Sequence, residues 1–297
     1  MIDIIKDTLI DGVKILPFLF ITYLIMEYLE HKTENKTTHI VKNAGKLGPF
    51  FGSLLGVFPQ CGFSAAAANL YAGKIITLGT LMAVFLSTSD EMLPILISKS
   101  APINLIVKIL LIKLLLGILF GFLIDTVNNL IRKYRKKEVK IRNEKQDIED
   151  SKEAINHICE HDHCDCEKDG IFKSAIRHSI NIFIFILIIT LLINILISLI
   201  GEDKLGNLIL DMPILGVAIS CLIGLIPNCA ASVIITELYL SNLINFGTMI
   251  AGLLVGSGVG ILILFRTNKN VKQNIKITTI LYFIGLISGI IINLIGM

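Results

Sequence analysis

Long apolar runs separated by short polar breaks dominate the pattern along the chain. The runs cover residues 10–30, 48–72, 75–98, 103–125, 177–200, 212–240, 243–265 and 277–296. Runs of this length suit helices that cross the roughly 30 Å hydrocarbon core of a bilayer. Hydrophobic residues make up 54% of the 297 positions, and the 17% that are charged collect in the breaks. The pattern therefore predicts an all-α polytopic membrane protein.

A polar segment at residues 126–176 divides the membrane part in two. The first half of this segment is basic (RKYRKKEVKIR), which marks the cytoplasmic side of a membrane protein. The predicted domains are a first membrane repeat at 1–125, a cytoplasmic linker at 126–176 and a second membrane repeat at 177–297. Basic residues flank the apolar runs or lie in the linker, so the net charge of +3 does not indicate a nucleic-acid partner.

The two membrane parts carry the same unusual sequence. Residues 56–64 read GVFPQCGFS and residues 224–232 read GLIPNCAAS, with an offset of 168 positions. Aligned without a gap, 56–89 and 224–257 share Pro, Cys, Ser, Tyr and Gly-Thr in one register. Agreement of these residue types between apolar segments predicts two homologous halves.

The charges of the loops favour halves of opposite orientation. The basic loops 31–46 and 266–276 are expected inside, and the net acidic loop 201–211 outside. These sides agree only if the segments 48–72 and 212–240 enter the membrane and return as helical hairpins. The sequence thus predicts two inverted repeats, each with about three full spans plus one re-entrant hairpin broken at Pro-x-Cys. This architecture is typical of secondary transporters.

The predicted hairpin tips carry groups that can bind a substrate. Proline removes a backbone donor and clashes with the preceding turn, so each helix breaks there. Backbone freed at membrane depth is buried in protein or lines a cavity, and the two tips are expected to face each other near the midplane. Alternatively, the cysteines are small buried hydrophobes and the prolines only kinks. The candidate tip residues are Pro59, Gln60, Cys61, Ser64, Pro227, Asn228, Cys229 and Ser232.

Two carboxylates lie deep in the third apolar run, in the sequence STSDE. An ionised carboxylate in a bilayer is costly and usually marks an ion or proton path, so Ser89, Asp90 and Glu91 join the candidate substrate site. The matching stretch VGSGVG is glycine-rich, which predicts an unwound segment in which Ser257 corresponds to Ser89. Otherwise Asp90 caps a short helix and Glu91 reaches the interface. Lys113, in the next run, would neutralise a carboxylate or extend its ammonium to the interface.

The second half of the linker concentrates metal-binding side chains. Its sequence HICEHDHCDCEKD offers His and Cys, which chelate zinc, copper, nickel or cobalt. The spacing is not that of a zinc finger, so we expect a flexible chelator that delivers, senses or buffers metal. The candidate ligands are His157, Cys159, His161, His163, Cys164 and Cys166.

Taken together, these motifs resemble a known family. PQCGFS, the STSDEM segment, the P-N-C sequence of the second half and the His/Cys loop are similar to the ten-segment heavy-metal exporters, also labelled manganese transporters or arsenic efflux proteins. Counting each hairpin as two segments gives ten here. The resemblance implies export of a metal or metalloid across the cytoplasmic membrane. The chain carries no P-loop motif for ATP, so an ion gradient or a partner would drive transport.

The leading hypothesis is a secondary transporter that exports manganese, a softer divalent metal such as zinc, or an arsenical, held between the hairpin tips. Carboxylates and amides suit Mn²⁺, whereas thiols suit Zn²⁺, Cd²⁺ or As(III). The alternative is an organic-anion permease with a metal-sensing linker. A thiol oxidoreductase is disfavoured because such enzymes generally use a C-x-x-C pair, so neither enzymatic activity nor a catalytic cofactor is expected. The expected partners are the bilayer and the metal, and a homo-oligomer is left open.

Overall fold

The structure of the protein is a computed structural model that describes most of both membrane parts. The described residues are 37–58, 61–89, 92–138, 215–227 and 229–295, together with positions 10, 17, 20, 21, 24, 172, 176, 179, 180, 183, 184, 187, 188, 191, 192 and 195. Within these residues every regular element is an α-helix and no strand occurs. The prediction of an all-α protein is confirmed.

Ten helices of the described ranges form two series with the same spacing. The first series is α1 (Thr37–Gly56), α2 (Cys61–Ala72), α3 (Leu78–Ser87), α4 (Met92–Ser98) and α5 (Ile103–Glu138). The second series is α6 (Leu215–Gly224), α7 (Cys229–Leu240), α8 (Phe246–Val255), α9 (Gly260–Thr267) and α10 (Val271–Ile295). The starts of α7 to α10 and the ends of α6 to α8 lie 168 positions after their counterparts. The sequence repeat therefore has a counterpart in the helix boundaries.

Local geometry repeats at the same offset. The turns after α2 and α7 contain Lys74 and Asn242, both with a φ of 57°. At the start of α3, the Gly79 amide donates to Asp125 Oδ1 over 2.8 Å, and at the start of α8 the Gly247 amide donates to Asn293 Oδ1 over 3.1 Å. Each of these side chains satisfies an amide of the first helical turn, which has no partner inside its own helix.

Several helices have the length and the surface of membrane spans. Among the described residues, Ile103–Ile131, Phe246–Thr267 and Val271–Ile295 are long and apolar enough to cross a bilayer. Along α5 the exposed side chains form an apolar stripe with a spacing of four: Leu111, Leu115, Leu119 and Leu123. A stripe of exposed leucine is unfavourable in water and suits contact with lipid. α5 also continues past the predicted domain boundary at residue 125.

Close packing against α3 fixes the directions of the helices in the first half. Gly48 contacts Thr80 and Gly56 contacts Ser87, so α1 and α3 run parallel. α5 runs antiparallel to α3. Gly79, at the start of α3, contacts Gly121 late in α5, whereas Lys113, earlier in α5, lies beside the end of α3. The second half packs in the same way, because α8 contacts both α6 and α10.

One helix of each half packs against a helix of the other half. After α3 ends, α4 packs against α7 of the second half, and after α8 ends, α9 packs against α2 of the first half. The Lys99 ammonium lies 3.3 Å from the Glu237 carboxylate on the first of these contacts. Near the second, the Gln273 side-chain amide donates to the Tyr71 hydroxyl over 2.5 Å. The break between α3 and α4 and the break between α8 and α9 thus both lie where the halves meet.

Candidate functional site

Two interrupted helices form the centre of the molecule. Every residue of α8 is buried, and in α3 all residues after Leu78 are buried. α3 ends at Ser87 and α8 ends at Val255, and in each case four residues separate that end from the start of the next helix. The second interruption contains Gly258 with a φ of 54°, a conformation that glycine adopts without steric cost. The unwound segment expected at VGSGVG is found. The runs 75–98 and 243–265 each consist of two helices rather than one.

Lys113 connects the two interruptions. The ammonium donates to the main-chain carbonyl of Thr88 at the end of α3 and, over 2.6 Å, to the carbonyl of Leu253 near the end of α8. The side chain is only 1% exposed. A buried ammonium is tolerated only where acceptors replace its water shell, and main-chain carbonyls at the ends of interrupted helices are available for this. The interpretation that Lys113 extends to the membrane interface is therefore wrong.

A small cavity lies beside the Lys113 ammonium. The volume that the centre of a water-sized molecule can occupy in this cavity is about 20 Å³. This is enough for one or two waters or a dehydrated ion. Four lining residues belong to the first half and seven to the second. The lining residues are Thr88, Ser89, Met92, Lys113, Gly224, Ala231, Ser232, Gly252, Leu253, Gly256 and Gly258.

The hydroxyls in the cavity wall offer acceptor lone pairs. Thr88 Oγ1 donates to the Val84 carbonyl over 2.7 Å, and Ser89 Oγ donates to the Ser87 carbonyl over 3.1 Å. A hydroxyl has one proton to donate and two lone pairs to accept with. Since both protons are committed to carbonyls, what these two hydroxyls can still present is oxygen lone pairs. Oxygen lone pairs suit a hard cation, while the thioether of Met92 on the same wall is a softer donor.

Comparison with known families agrees with this arrangement. The profile of the ArsP_2 family, described as "Putative, 10TM heavy-metal exporter", matches residues 1–199 and 167–297, which together are the whole chain. The chain belongs to this family of 10TM heavy-metal exporters. The resemblance inferred from the motifs is confirmed, and the protein is a multi-pass membrane protein. No curated protein and no solved structure matches the chain.

Two of the predicted site residues line the cavity, Ser89 and Ser232. Ser64, the counterpart of Ser232, is fully buried and packs against Gly260 instead. Ser257 is 1% exposed, and its hydroxyl has no hydrogen-bond partner within the described part of the chain.

The other predicted residues of the exporter lie at or beyond the edge of the described ranges. Pro227 lies in the bend between α6 and α7. Cys61 and Cys229 are the first residues of α2 and α7, but their side chains are outside the description. The remaining predicted residues fall outside the described residues: Pro59, Gln60, Asp90, Glu91, Asn228, His157, Cys159, His161, His163, Cys164 and Cys166. Their assigned roles stay predictions.

Five side chains of the cavity wall were not among the predicted site residues: Thr88, Met92, Lys113, Ala231 and Leu253. Lys113 had a signal in the sequence, since it is a charged residue deep in an apolar run, where ionisable groups are usually functional. Thr88 and Met92 flank the candidate residues Ser89 to Glu91, so their chain neighbours gave a weaker signal. Leu253 lies in a uniformly apolar helix, and nothing in its sequence surroundings distinguishes it.

Proposed function

We propose that the chain is a secondary transporter that exports a heavy-metal cation, either manganese or a softer divalent metal, or an arsenical, across the cytoplasmic membrane. The observation that carries the proposal is the small cavity between the two interrupted helices, to which both halves contribute and in which hydroxyl and ammonium groups lie among apolar ones. Helix ends and unwound backbone at membrane depth are the usual substrate sites of transporters built from repeats. Membership of the exporter family supports a heavy-metal cargo.

The helix directions support a re-entrant hairpin in each half. α1 and α3 run parallel and lie side by side, with Gly48 beside Thr80 and Gly56 beside Ser87. The chain must therefore return over the same height between Gly56 and Leu78, and α2 is the only helix between them. The apolar part of α1, Leu47–Gly56, is only about 15 Å long at 1.5 Å per residue. A half-length helix that enters, turns after Gly56 and returns as α2 fits these lengths.

The directions across the two halves support an inverted repeat. Met92 at the start of α4 shares the cavity with Ala231 near the start of α7, and Lys99 just after α4 pairs with Glu237 further along α7. α4 and α7 therefore run parallel. α4 runs in the same direction as α3, because it connects the end of α3 to the start of the antiparallel α5. α7 runs antiparallel to α8, which follows it in the chain. It follows that α3 and α8 run in opposite directions, as inversion requires.

The charges around the cavity suit a divalent cation if the predicted carboxylates take part. Asp90 and Glu91 follow the lining residue Ser89 directly in sequence, and with Lys113 they give a formal charge of −1. The hydroxyl lone pairs of the wall add neutral oxygen ligands. A thiol from Cys61 or Cys229 would shift the preference from Mn²⁺ toward Zn²⁺, Cd²⁺ or As(III). We propose that the His/Cys residues of the linker collect, sense or buffer the same metal in the cytoplasm.

An organic-anion permease is the second candidate, and the buried ammonium of Lys113 is the observation that favours it. A fixed cation at the substrate site attracts a carboxylate and repels a bare metal ion. The dimensions of the cavity argue against it, because about 20 Å³ of accessible space does not hold an organic acid. The exporter remains the better supported function.

The test is counterflow in sealed vesicles that hold the purified protein. Mn²⁺, Zn²⁺, Cd²⁺ and As(III) are tested singly, with Asp90→Asn and Cys61→Ser beside the native chain. Movement of one metal that either substitution stops supports the exporter, and the softness of that metal identifies the ligands. If no metal moves while an organic acid does, the permease replaces it. If both Cys61→Ser and Cys229→Ser leave transport intact, the thiols are not ligands.

A further inference from the structure

The cavity has a counterpart position that follows from the repeat. Because the two halves correspond at an offset of 168, each lining residue has an equivalent in the other half. Ala231, Ser232 and Leu253 correspond to Phe63, Ser64 and Phe85. In the opposite direction, Met92 and Lys113 correspond to Gly260 and Leu281. Two sites related by the repeat would need the same kind of residues on both sides.

The counterpart position is filled by protein atoms. A Cβ placed on Gly260 would lie 2.8 Å from the ring of Phe85 and 2.9 Å from the Cβ of Ser64, so both side chains press directly on that glycine. Phe85 is fully buried and is among the largest side chains with no exposure. The same place beside the cavity holds Met92 and the shorter Leu253. The Phe85 ring thus packs directly against Gly260, whereas the wall that contains Met92 and Leu253 leaves a cavity.

The cavity and its counterpart position also differ in polarity, and the cavity is the more polar of the two. The cavity faces the Lys113 ammonium, whereas the counterpart of Lys113 is Leu281, which is completely buried and has no polar atom in its side chain. The lining residue Ala231 is small, whereas its counterpart Phe63 carries a ring whose centroid lies 6.1 Å from that of Phe58, with the two rings tilted by 43°. Open space thus lies on the side that carries the Lys113 ammonium, which together with Asp90 and Glu91 gives the formal charge of −1 proposed for the cation site.

We infer that the duplicated site has diverged, so that cargo binds only in the cavity formed by the start of α7, the end of α8 and Lys113. The inference rests on the proposed function and narrows it, since the first-half tip then supports the fold instead of holding cargo. Thr88, Met92 and Leu253 become binding-site residues. The cavity accepts a cargo of single-ion size in this conformation, because about 20 Å³ accommodates one water-sized species.

Exchange of residues between equivalent positions tests the divergence. Leu253→Phe places in the second half the same ring that Phe85 provides at the equivalent position of the first half. The main-chain carbonyl of residue 253 remains available to Lys113. Counterflow of the transported metal by Leu253→Phe is expected to fall about tenfold or more, because a tightly packed interior leaves no room for an ion. Phe85→Leu is the matched control and is expected to stay within about threefold of the native rate, since it lines no cargo site.

A milder pair protects the test against misfolding. Ala231→Val narrows the cavity by two methyl groups, and Phe63→Leu alters the equivalent position by a similar amount. Gel filtration and thermal unfolding report whether each variant is folded, and rates are compared per folded protein. Slower transport by the cavity variants alone supports the divergence. Native rates in folded Leu253→Phe and Ala231→Val, or equal losses in Phe85→Leu and Phe63→Leu, overturn it. If the native chain moves none of the four metals, the proposed export function falls, and the one-sided site falls with it.

Discussion

The Lys113 ammonium in the first half donates a hydrogen bond of 2.6 Å to the main-chain carbonyl of Leu253 in the second half. The same ammonium also donates to the Thr88 carbonyl in its own half. A single buried charge thereby joins the two interrupted helices beside the cavity. Any movement that separates α3 from α8 must break one of these bonds, which couples the shape of the cavity to the relative position of the halves.

Replacement of this lysine is expected to reduce both stability and transport. Lys113→Met removes the donor to two buried carbonyls, and each unsatisfied carbonyl costs about 1–3 kcal/mol. Thermal unfolding in detergent and counterflow in vesicles measure the two effects. Lys108→Met is the control on the same helix, because Lys108 is exposed and lies 4.6 Å over the Phe246 ring. A cation–π contact at an exposed site is worth about 0.5–1 kcal/mol. Equal losses for both substitutions would contradict a special role for Lys113.

Close backbone contact beside the cavity predicts a contrast between two glycines. A Cβ on Gly224 would lie 2.2 Å from the carbonyl oxygen of Gly252, whereas the nearest atom to a Cβ on Gly256 is 3.5 Å away. Gly224→Ala is expected to lower the free energy of unfolding by about 1–3 kcal/mol, the usual cost of overpacking. Gly256→Ala is expected to be nearly neutral. The unfolding midpoints of the two purified variants decide this, and similar midpoints would show that α6 moves aside freely.

Residues that agree between the halves were predictable from the sequence, and those that differ were not. The shared Gly-x-x-Pro-polar-Cys phrase located the interruptions at Gly56 and Gly224, because proline removes a backbone donor and clashes with the preceding turn. Pro49 lies inside α1, so it is the repeated phrase and not proline alone that indicates a break. The partner of Lys113, by contrast, is a carbonyl 140 positions away, and no local pattern encodes that pairing. Whether a position is an open cavity or is filled by protein atoms depends on where large buried side chains such as Phe85 pack. That outcome is decided by tertiary packing.

Asp125 is expected to act in structure, although a carboxylate in a membrane span often marks an ion path. Its two oxygens accept from Thr77 Oγ1 over 2.6 Å and from the Gly79 amide over 2.8 Å, which caps the start of α3. The equivalent Asn293 performs the second function with an amide oxygen. Asp125→Asn should therefore keep the cap and native transport, while Asp125→Ala loses about 2–3 kcal/mol of stability. Loss of transport in a stable Asp125→Asn protein would instead place Asp125 on the ion path.

The proposed opposite orientation of the halves predicts from which side of the membrane each loop is accessible. Cysteines introduced in 31–46 and 266–276 should react with an impermeant thiol reagent only from the cytoplasmic side, and those in 201–211 only from outside. Labelled peptides are identified by mass spectrometry, which separates the new thiols from the native ones. Labelling of 31–46 and 201–211 from the same side would rule out the inverted arrangement, since each half would then cross the membrane an even number of times.

The linker cluster is expected to bind metal without being needed for translocation. Six His and Cys ligands lie within residues 157–166, whereas the described residues contain no group of three or more His, Cys, Asp or Glu that could hold a metal ion. Replacement of the histidines by Gln and the cysteines by Ser should abolish the metal that equilibrium dialysis detects on the native protein. Binding should also weaken as the pH falls, because the ligands must lose protons to coordinate. Counterflow at saturating metal should remain within about twofold of the native rate, since substrate sites of transporters built from repeats lie at the repeat interface and not in the linker. A loss of transport in proportion to the loss of bound metal would mean that the linker delivers metal to the cavity. Transport that is unchanged at saturating metal but slower at low metal would mean that the linker concentrates metal near the cavity.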